Sequence, residues 1–167
     1  SDYSVAAWQP LWRDREGRLD TEVTLARKRL HDSYELAVVA LKYLDTLHWR
    51  LDGQYGSGQR VDNGSIGVSV GRLQLDEANA VNDAVGHRTA GHYVKINGQW
   101  TGQQRLNRTW LGSVRLEGQW ASRNLDSTEK MGLGGANAVR AYAPNEYAAD
   151  VALLLRVDVR YLLNAAW

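Results

Sequence analysis

A chain of 167 residues is the size of one domain, and 20 basic against 19 acidic residues leave a net charge of only +1, which gives no electrostatic reason to bind nucleic acid over the whole surface. The absence of cysteine excludes a disulfide framework and a thiolate metal site, and suits a cytosolic or a Gram-negative envelope protein equally well. Seven Trp, eight Tyr and no Phe mean that every aromatic ring carries a polar handle, a choice that favours boundaries between apolar and wet surroundings.

The opening SDYSVAAWQP lacks the basic n-region and long apolar core of a signal peptide, and no run of roughly 18 apolar residues offers a spanning helix. Strands are legible from near Tyr3. Leu19 to Arg29 alternates weakly between apolar and polar side chains. From Glu35 to Leu47 two readings compete. Leu36, Val39, Ala40, Tyr43, Leu44 and Leu47 form the stripe of a short amphipathic helix, while Val38-Val39 is β-branched and suits a strand pair. Leu47 to Tyr55 alternates cleanly, with Leu47, Trp49, Leu51 and Tyr55 opposite His48, Arg50, Asp52 and Gln54. Asn63-Gly64 reads as a hairpin turn before Ile66, Val68 and Val70.

Gly67-Val68-Ser69-Val70-Gly71 matches the G-x-S-x-G pattern of a hydrolase nucleophile, but that chemistry needs a strand-to-helix turn after the serine, and Arg72-Leu73-Gln74-Leu75 continues the alternation instead. His31, His48, His87 and His92 lack the spacing of a metal pair. Tyr93 to Thr101 puts Val94, Ile96 and Trp100 opposite Tyr93, Lys95, Asn97, Gln99 and Thr101. Thr109 to Ala121 sets Trp110, Val114, Leu116 and Trp120 against Ser113, Arg115, Glu117 and Gln119. Ten residues between the two Trp correspond to ~33 Å of strand, or ~25 Å across a bilayer at ~40° tilt, which is the separation of two aromatic girdles. Val151 to Leu163 closes the series, with Val151, Leu153, Leu155, Val157 and Val159 opposite Leu154, Arg156, Asp158 and Arg160.

Between the last two strands lies MGLGGANAVRAYAPNEYAAD, where Arg140 is the only charge from Lys130 to Glu146, set among glycines and alanines. Alternation alone leaves two architectures open, a soluble sheet with one wet face and a sheet between lipid and lumen.

The run RLNRTWLGSVRLEGQWASRNLDSTEKMGLGGANAVRAY resembles the late barrel strands and following loop of the hemolysin-activator family, the outer-membrane transporters of two-partner secretion. GRLQLD, HRTAGHYVKINGQW and QRL fall upstream in the order that family shows. The resemblance implies an all-β antiparallel meander forming part of a transmembrane barrel over residues 1–167, with about seven strands and a lumen loop over 125–150. It implies a pore for a large secreted protein in the bacterial outer membrane, acting without a nucleotide, metal or other cofactor and without catalysis. Lipid, the exoprotein, the rest of the barrel and periplasmic domains outside this chain are the implied partners.

The loop motif Val-Arg-Gly-Tyr is matched by Val139, Arg140 and Tyr142 after Gly134-Gly135, with Ala141 where the family commonly has Gly. In the family this arginine folds into the lumen and meets an acid of a Phe-x-Asp-x-Gly strand, which would follow this chain's last residue. Arg50, Asp52, Lys95, Arg115, Glu117, Arg156 and Arg160 would then line the lumen. The alternative from another class is a soluble β-sheet domain that binds a partner by edge or loop contacts.

Overall fold

The computed structural model describes residues 2–34, 37–86, 88–133 and 147–163. In chain order the strands are β1 (Tyr3–Arg13), β2 (Gly17–Tyr34), β3 (Ala37–Ser57), β4 (Arg60–Leu75), β5 (Gly91–Arg105) and β6 (Trp110–Ala121). Two short strands, β7 (Met131–Gly132) and β8 (Ala148–Ala149), precede β9 (Ala152–Tyr161). The helix α1 (Glu77–Val85) lies between β4 and β5. Seven strands pair antiparallel in the order β1-β2-β3-β4-β5-β6-β9, an uninterrupted meander, and β7 pairs with β8 apart from it.

The period of two in the sequence becomes two faces because the register joins like to like. Leu47 pairs with Leu25 and Val70, Trp49 with Val23 and Val68, and Leu116 with Trp100 and Leu155. On the opposite face Arg50 pairs with Glu22, Lys95 with Ser69, and Arg115 with Thr101 and Arg156. Each strand thus adds its apolar set to one surface, and a slip of one residue would exchange the two.

Nothing among the described residues covers the apolar surface. Trp49 remains 40% exposed and Leu155 64%, whereas the buried core is small: Leu44, Leu73, Tyr93, Ala121 and Leu125, with Leu30 and Leu75 against it. That core lies on the polar face, where Leu125 of the β6–β9 connection packs onto the sheet. A patch this extensive is far beyond what a monomer in water exposes, so the apolar face needs a partner phase. Its aromatic handles are placed accordingly. Trp49 Nε1 donates to Thr21 Oγ1 at 2.9 Å within the wall, and Trp110 and Tyr161 meet at 5.0 Å between ring centroids at one margin.

Two local expectations are corrected. Residues 37–47 belong to strand β3, so the short helix considered near 35–47 does not form over them; residues 35 and 36 lie outside the described set. Pairing with β2 from Ala37 to Leu47, broken only by an irregularity at Val39, supplies a hydrogen-bond ladder that the helical stripe could not outweigh. Asn63 and Gly64 sit inside β4, paired with Gln54 and Gly53. The turn falls at Gly58-Gln59 instead, and Gly58 has the positive φ, 58°, that a tight connection requires. The helix that does form, α1, ends where Asp83 accepts from Thr89 N, Thr89 Oγ1 and Ala90 N, tying the connection back toward β5.

Candidate functional site: the polar face and the loop root

The seven residues expected to line a lumen share one face of the sheet: Arg50 and Asp52 on β3, Lys95 on β5, Arg115 and Glu117 on β6, and Arg156 and Arg160 on β9. Residues two apart on a strand point the same way, which lets opposite charges pair along it. Arg50 donates to Asp52 at 2.7 and 3.0 Å, Arg115 pairs with Glu117, and Arg156 Nε reaches Asp158 Oδ2 at 2.6 Å. Each of these arginines is thereby held flat against the wall beside its own acid. A polar recess of about 330 Å³ opens between them, lined by Asp52, Gln54, Asn63, Gln99, Thr101 and Arg115.

The same face carries the root of the β6–β9 connection. Leu125, 1% exposed, fills the space between Leu44, Leu73 and Tyr93. Tyr93 reaches this position by lying across Gly71, where a Cβ would collide with its ring. Next in the chain, Asp126 accepts from Lys42 Nζ at 2.7 Å and from the amide and hydroxyl of Thr128 at 3.1 and 2.9 Å, capping the 3₁₀ turn Ser127–Glu129. Burial alone pushes the Asp126 carboxyl up, but those hydrogen bonds from Lys42 and Thr128 outweigh it and hold the group below the usual carboxylate range.

Glu129 then takes Lys95 Nζ at 2.5 Å and Lys28 Nζ at 3.5 Å, with Lys95 also donating to its carbonyl. Gln119 Nε2 donates to the carbonyls of Glu129 and Ala149, at 3.2 and 3.3 Å, so one side chain holds both limbs of the loop. The returning limb is fastened by Asp150, which accepts from Leu125 N at 2.8 Å and from Lys130 at 3.3 Å. With β7 paired to β8, entry and exit of the loop lie side by side on the wall. The motif residues Gly134, Gly135, Val139, Arg140, Ala141 and Tyr142 lie outside the described residues.

Sequence reasoning missed Lys28, Lys42, Asp126 and Glu129, which do most of the fastening. The signal available was an acid three residues before another acid, with Ser-Thr between, immediately after a strand. Their lysine partners stand 84 and 101 residues away in the chain, where nothing local marks them. The Gly67–Gly71 motif finds a histidine, since His48 Nδ1 lies 2.8 Å from Ser69 Oγ. Ser69 is nevertheless only 4% exposed within a straight strand, and no carboxylate hydrogen-bonds His48 among the described residues. The geometry is that of a packed polar pair, without the exposed elbow a nucleophile needs.

A meander with an uncovered apolar face, a charged face and a loop rooted on the charged side is the arrangement the sequence resemblance anticipates. The family model for haemolysin secretion/activation protein ShlB/FhaC/HecB matches residues 1–166. The chain belongs to this family. Among curated relatives, the heme/hemopexin transporter protein HuxB of Haemophilus influenzae strain 86-028NP is 24% identical over 160 residues, covering 92% of this chain and 28% of HuxB. HuxB of strain KW20 is 23% identical over the same length. The solved structure of CdiB from Escherichia coli superimposes with a TM-score of 0.77 at 14% identity, over 95% of this chain and 30% of CdiB, and so shares the fold. The chain spans less than a third of the length of each of these proteins.

Proposed function

We propose that residues 1–167 form part of an outer-membrane β-barrel that passes a large secreted protein across the membrane in two-partner secretion, with the apolar face in lipid and the polar face on the lumen. The observation that carries this reading is the pairing of a seven-stranded sheet whose apolar side is uncovered with a loop root fastened to its charged side. A lumen whose arginines are already paired with neighbouring acids offers a moving polypeptide wet surface and few apolar traps. No catalytic step, nucleotide or metal enters this reading. The open edges of β1 and β9 would be closed by the rest of the barrel, because unpaired N–H and C=O groups are not tolerated in hydrocarbon. The soluble-sheet alternative leaves the row Leu25, Leu47, Val70 and Val94 exposed in water, and has no observation of its own.

These 167 residues contain no cysteine, so in a full-length transporter cleared of any other cysteine a single introduced one reports the medium. In the full-length transporter in membranes, Val68→Cys should resist a water-soluble maleimide until the protein is unfolded, because a thiol in hydrocarbon stays protonated and out of reach, whereas Asn97→Cys should react in the intact membrane. Equal reaction of both positions with the water-soluble reagent would remove the barrel reading.

For the loop, the proposal carries Arg140 into the lumen as a tether. Arg140→Ala should then cut secretion while leaving outer-membrane abundance unchanged, and Arg140→Lys should rescue poorly because it lacks the planar fork. Secretion at the unmodified rate by Arg140→Ala would reduce Arg140 to a surface residue.

A further inference from the structure

One row of outward-facing side chains breaks with the row on its inner side. The register sets Tyr3, Arg27, Asp45, Arg72 and His92 side by side across β1 to β5. The adjacent row toward the short turns is Val5, Leu25, Leu47, Val70 and Val94, all aliphatic. The wall therefore passes from hydrocarbon to charge in one step of two residues, ~7 Å.

Arg27 holds Asp45 through two contacts of 2.6 and 2.9 Å, which neutralises the one acid of the row. Arg72 is exposed and has no hydrogen bond or ion pair among the described residues, though its charge acts on Asp45, which also lines the groove between the two rows; Arg29, one row farther out, lies over the Tyr43 ring at 5.9 Å. Between the charged and aliphatic rows runs an open, mostly apolar groove of about 480 Å³, bounded by Arg27, Arg72 and His92 on one side and by Val5, Leu25 and Leu47 on the other.

The opposite margin of the same face is built differently. There Arg60 is engaged by Asp62 at 2.6 and 3.1 Å, with no second basic side chain in its row: Ser57, Gln104, Gly112 and Val159. The basic row lies at the end of the sheet that carries the long connections, residues 76–90 and 122–151, whereas the turns at 14–16, 58–59 and 106–109 are short. In outer-membrane barrels the long connections face the cell exterior.

We propose that this row and groove form a site for one phosphate-bearing glycolipid of the outer leaflet. The phosphate sits on Arg72 and the free donors of Arg27, beside His92, and an acyl chain lies along the groove over Leu25, Leu47 and Val70. The inference rests on the barrel reading above. Lipid is the occupant because the groove runs without a break into the apolar band, so one ligand must be charged at one end and hydrocarbon at the other. Guanidinium donors match phosphate oxygens in pairs, and Arg72 has its full set to offer.

The test uses the full-length transporter, purified in detergent, with bisphosphorylated lipid A counted by native mass spectrometry and competed with its dephosphorylated form and with phosphatidylglycerol. The unmodified protein should retain one bisphosphorylated lipid A through dilution. Arg72→Ala, which breaks no hydrogen bond among the described residues, should weaken retention about tenfold, and Arg27→Ala/Arg72→Ala further, while Arg60→Ala leaves it unchanged. Equal retention by Arg72→Ala, or equal binding of dephosphorylated lipid A, overturns the site. Phosphatidylglycerol competing as well as lipid A overturns the assigned occupant. A correctly inserted barrel that retains no lipid defeats this inference alone, whereas failure to insert defeats the barrel reading with it.

Discussion

The two faces of the sheet are built from the same strands and obey different rules. On the apolar face the contacts are generic: Leu116 lies between Trp100 and Leu155, and where Gly98 stands opposite Gly118 the neighbouring Leu153 leans into the space. On the polar face they are individual: Asp126 has Lys42, Glu129 has Lys95 and Lys28, and Tyr93 has the one space left by Gly71. The apolar face should therefore tolerate changes of shape and refuse charge, and the loop root should tolerate charge nearby and refuse changes of partner.

The largest effect should come from breaking that rule on the apolar side. Leu116 stands near the middle of the span between Trp110 and Trp120, and Leu116→Arg should destabilise the full-length barrel in lipid vesicles by ~2–4 kcal/mol, read from urea-dependent folding. Ser113→Arg on the opposite face, beside Asp158, should cost less than ~1 kcal/mol. Equal costs at the two positions would dissolve the distinction between the faces.

Breaking a partner at the loop root comes next. Lys42→Ala leaves Asp126, 7% exposed, without its cation, and should weaken docking of the loop by ~1.5–3 kcal/mol. The strands should stay folded, because their hydrogen bonds do not pass through this pair. Hydrogen exchange of the Leu125–Gly132 amides should rise while that of β3 to β5 stays as it was; a parallel rise in the strands would mean that the root holds up the wall as well. Gly71→Ala tests the packing beneath it. The new methyl must displace the Tyr93 ring, and forced overpacking of this kind costs ~1–3 kcal/mol, with Leu125 losing its seat in the same event. Gly64→Ala, whose Cβ would meet its nearest neighbour at 3.4 Å, should be milder.

The same contrast explains what was legible from sequence. Each apolar side chain of β6 or β9 faces one medium, so the requirement repeats at every second residue and shows as alternation; Trp110, Trp120 and the start near Tyr3 were readable for that reason, while the last strand, expected to reach Leu163, ends at Tyr161. Over Glu35 to Leu47 the signal failed because Tyr43 and Leu47 satisfy the helical and the strand period at once, and pairing with β2 decided between them. Asn63-Gly64 misled because Gly64 serves a sheet position opposite Gly53 and beside Trp100, where small size matters and turn geometry does not. The loop root was invisible for a different reason. An ion pair such as Lys28 with Glu129 is a property of the closed register, and although Asp126-Ser127-Thr128-Glu129 marks a capped turn, nothing local marks its lysine partners.

The smallest effect expected is one of pH, and it separates the two faces again. The aliphatic and aromatic rows from Val5–Leu25–Leu47–Val70–Val94 to Trp100–Leu116–Leu155 contain no ionisable side chain that titrates in acid, so their hold on lipid should not change. Asp126 does titrate. Its carboxyl is depressed below the ordinary 3.8, so its contribution is fully present above that value and is lost as pH falls through the lower, folded value. The groups around it are Lys42 from β3, Tyr93 from β5 and Glu129 with its two lysines in the next turn, and protonation would leave Lys42 with a neutral partner. A spin label on Ser127→Cys, an exposed position, should report an immobile loop root from neutral pH to about pH 4 and growing mobility below it, reversing on return. Adding Lys42→Ala should make the label more mobile at neutral pH and shrink the transition, because Lys42 is the first of the hydrogen-bond partners that depress the carboxyl and only Thr128 would remain. A spectrum unchanged down to about pH 2 in the otherwise unmodified protein would show that Glu129 and the packing of Leu125 hold the loop without Asp126.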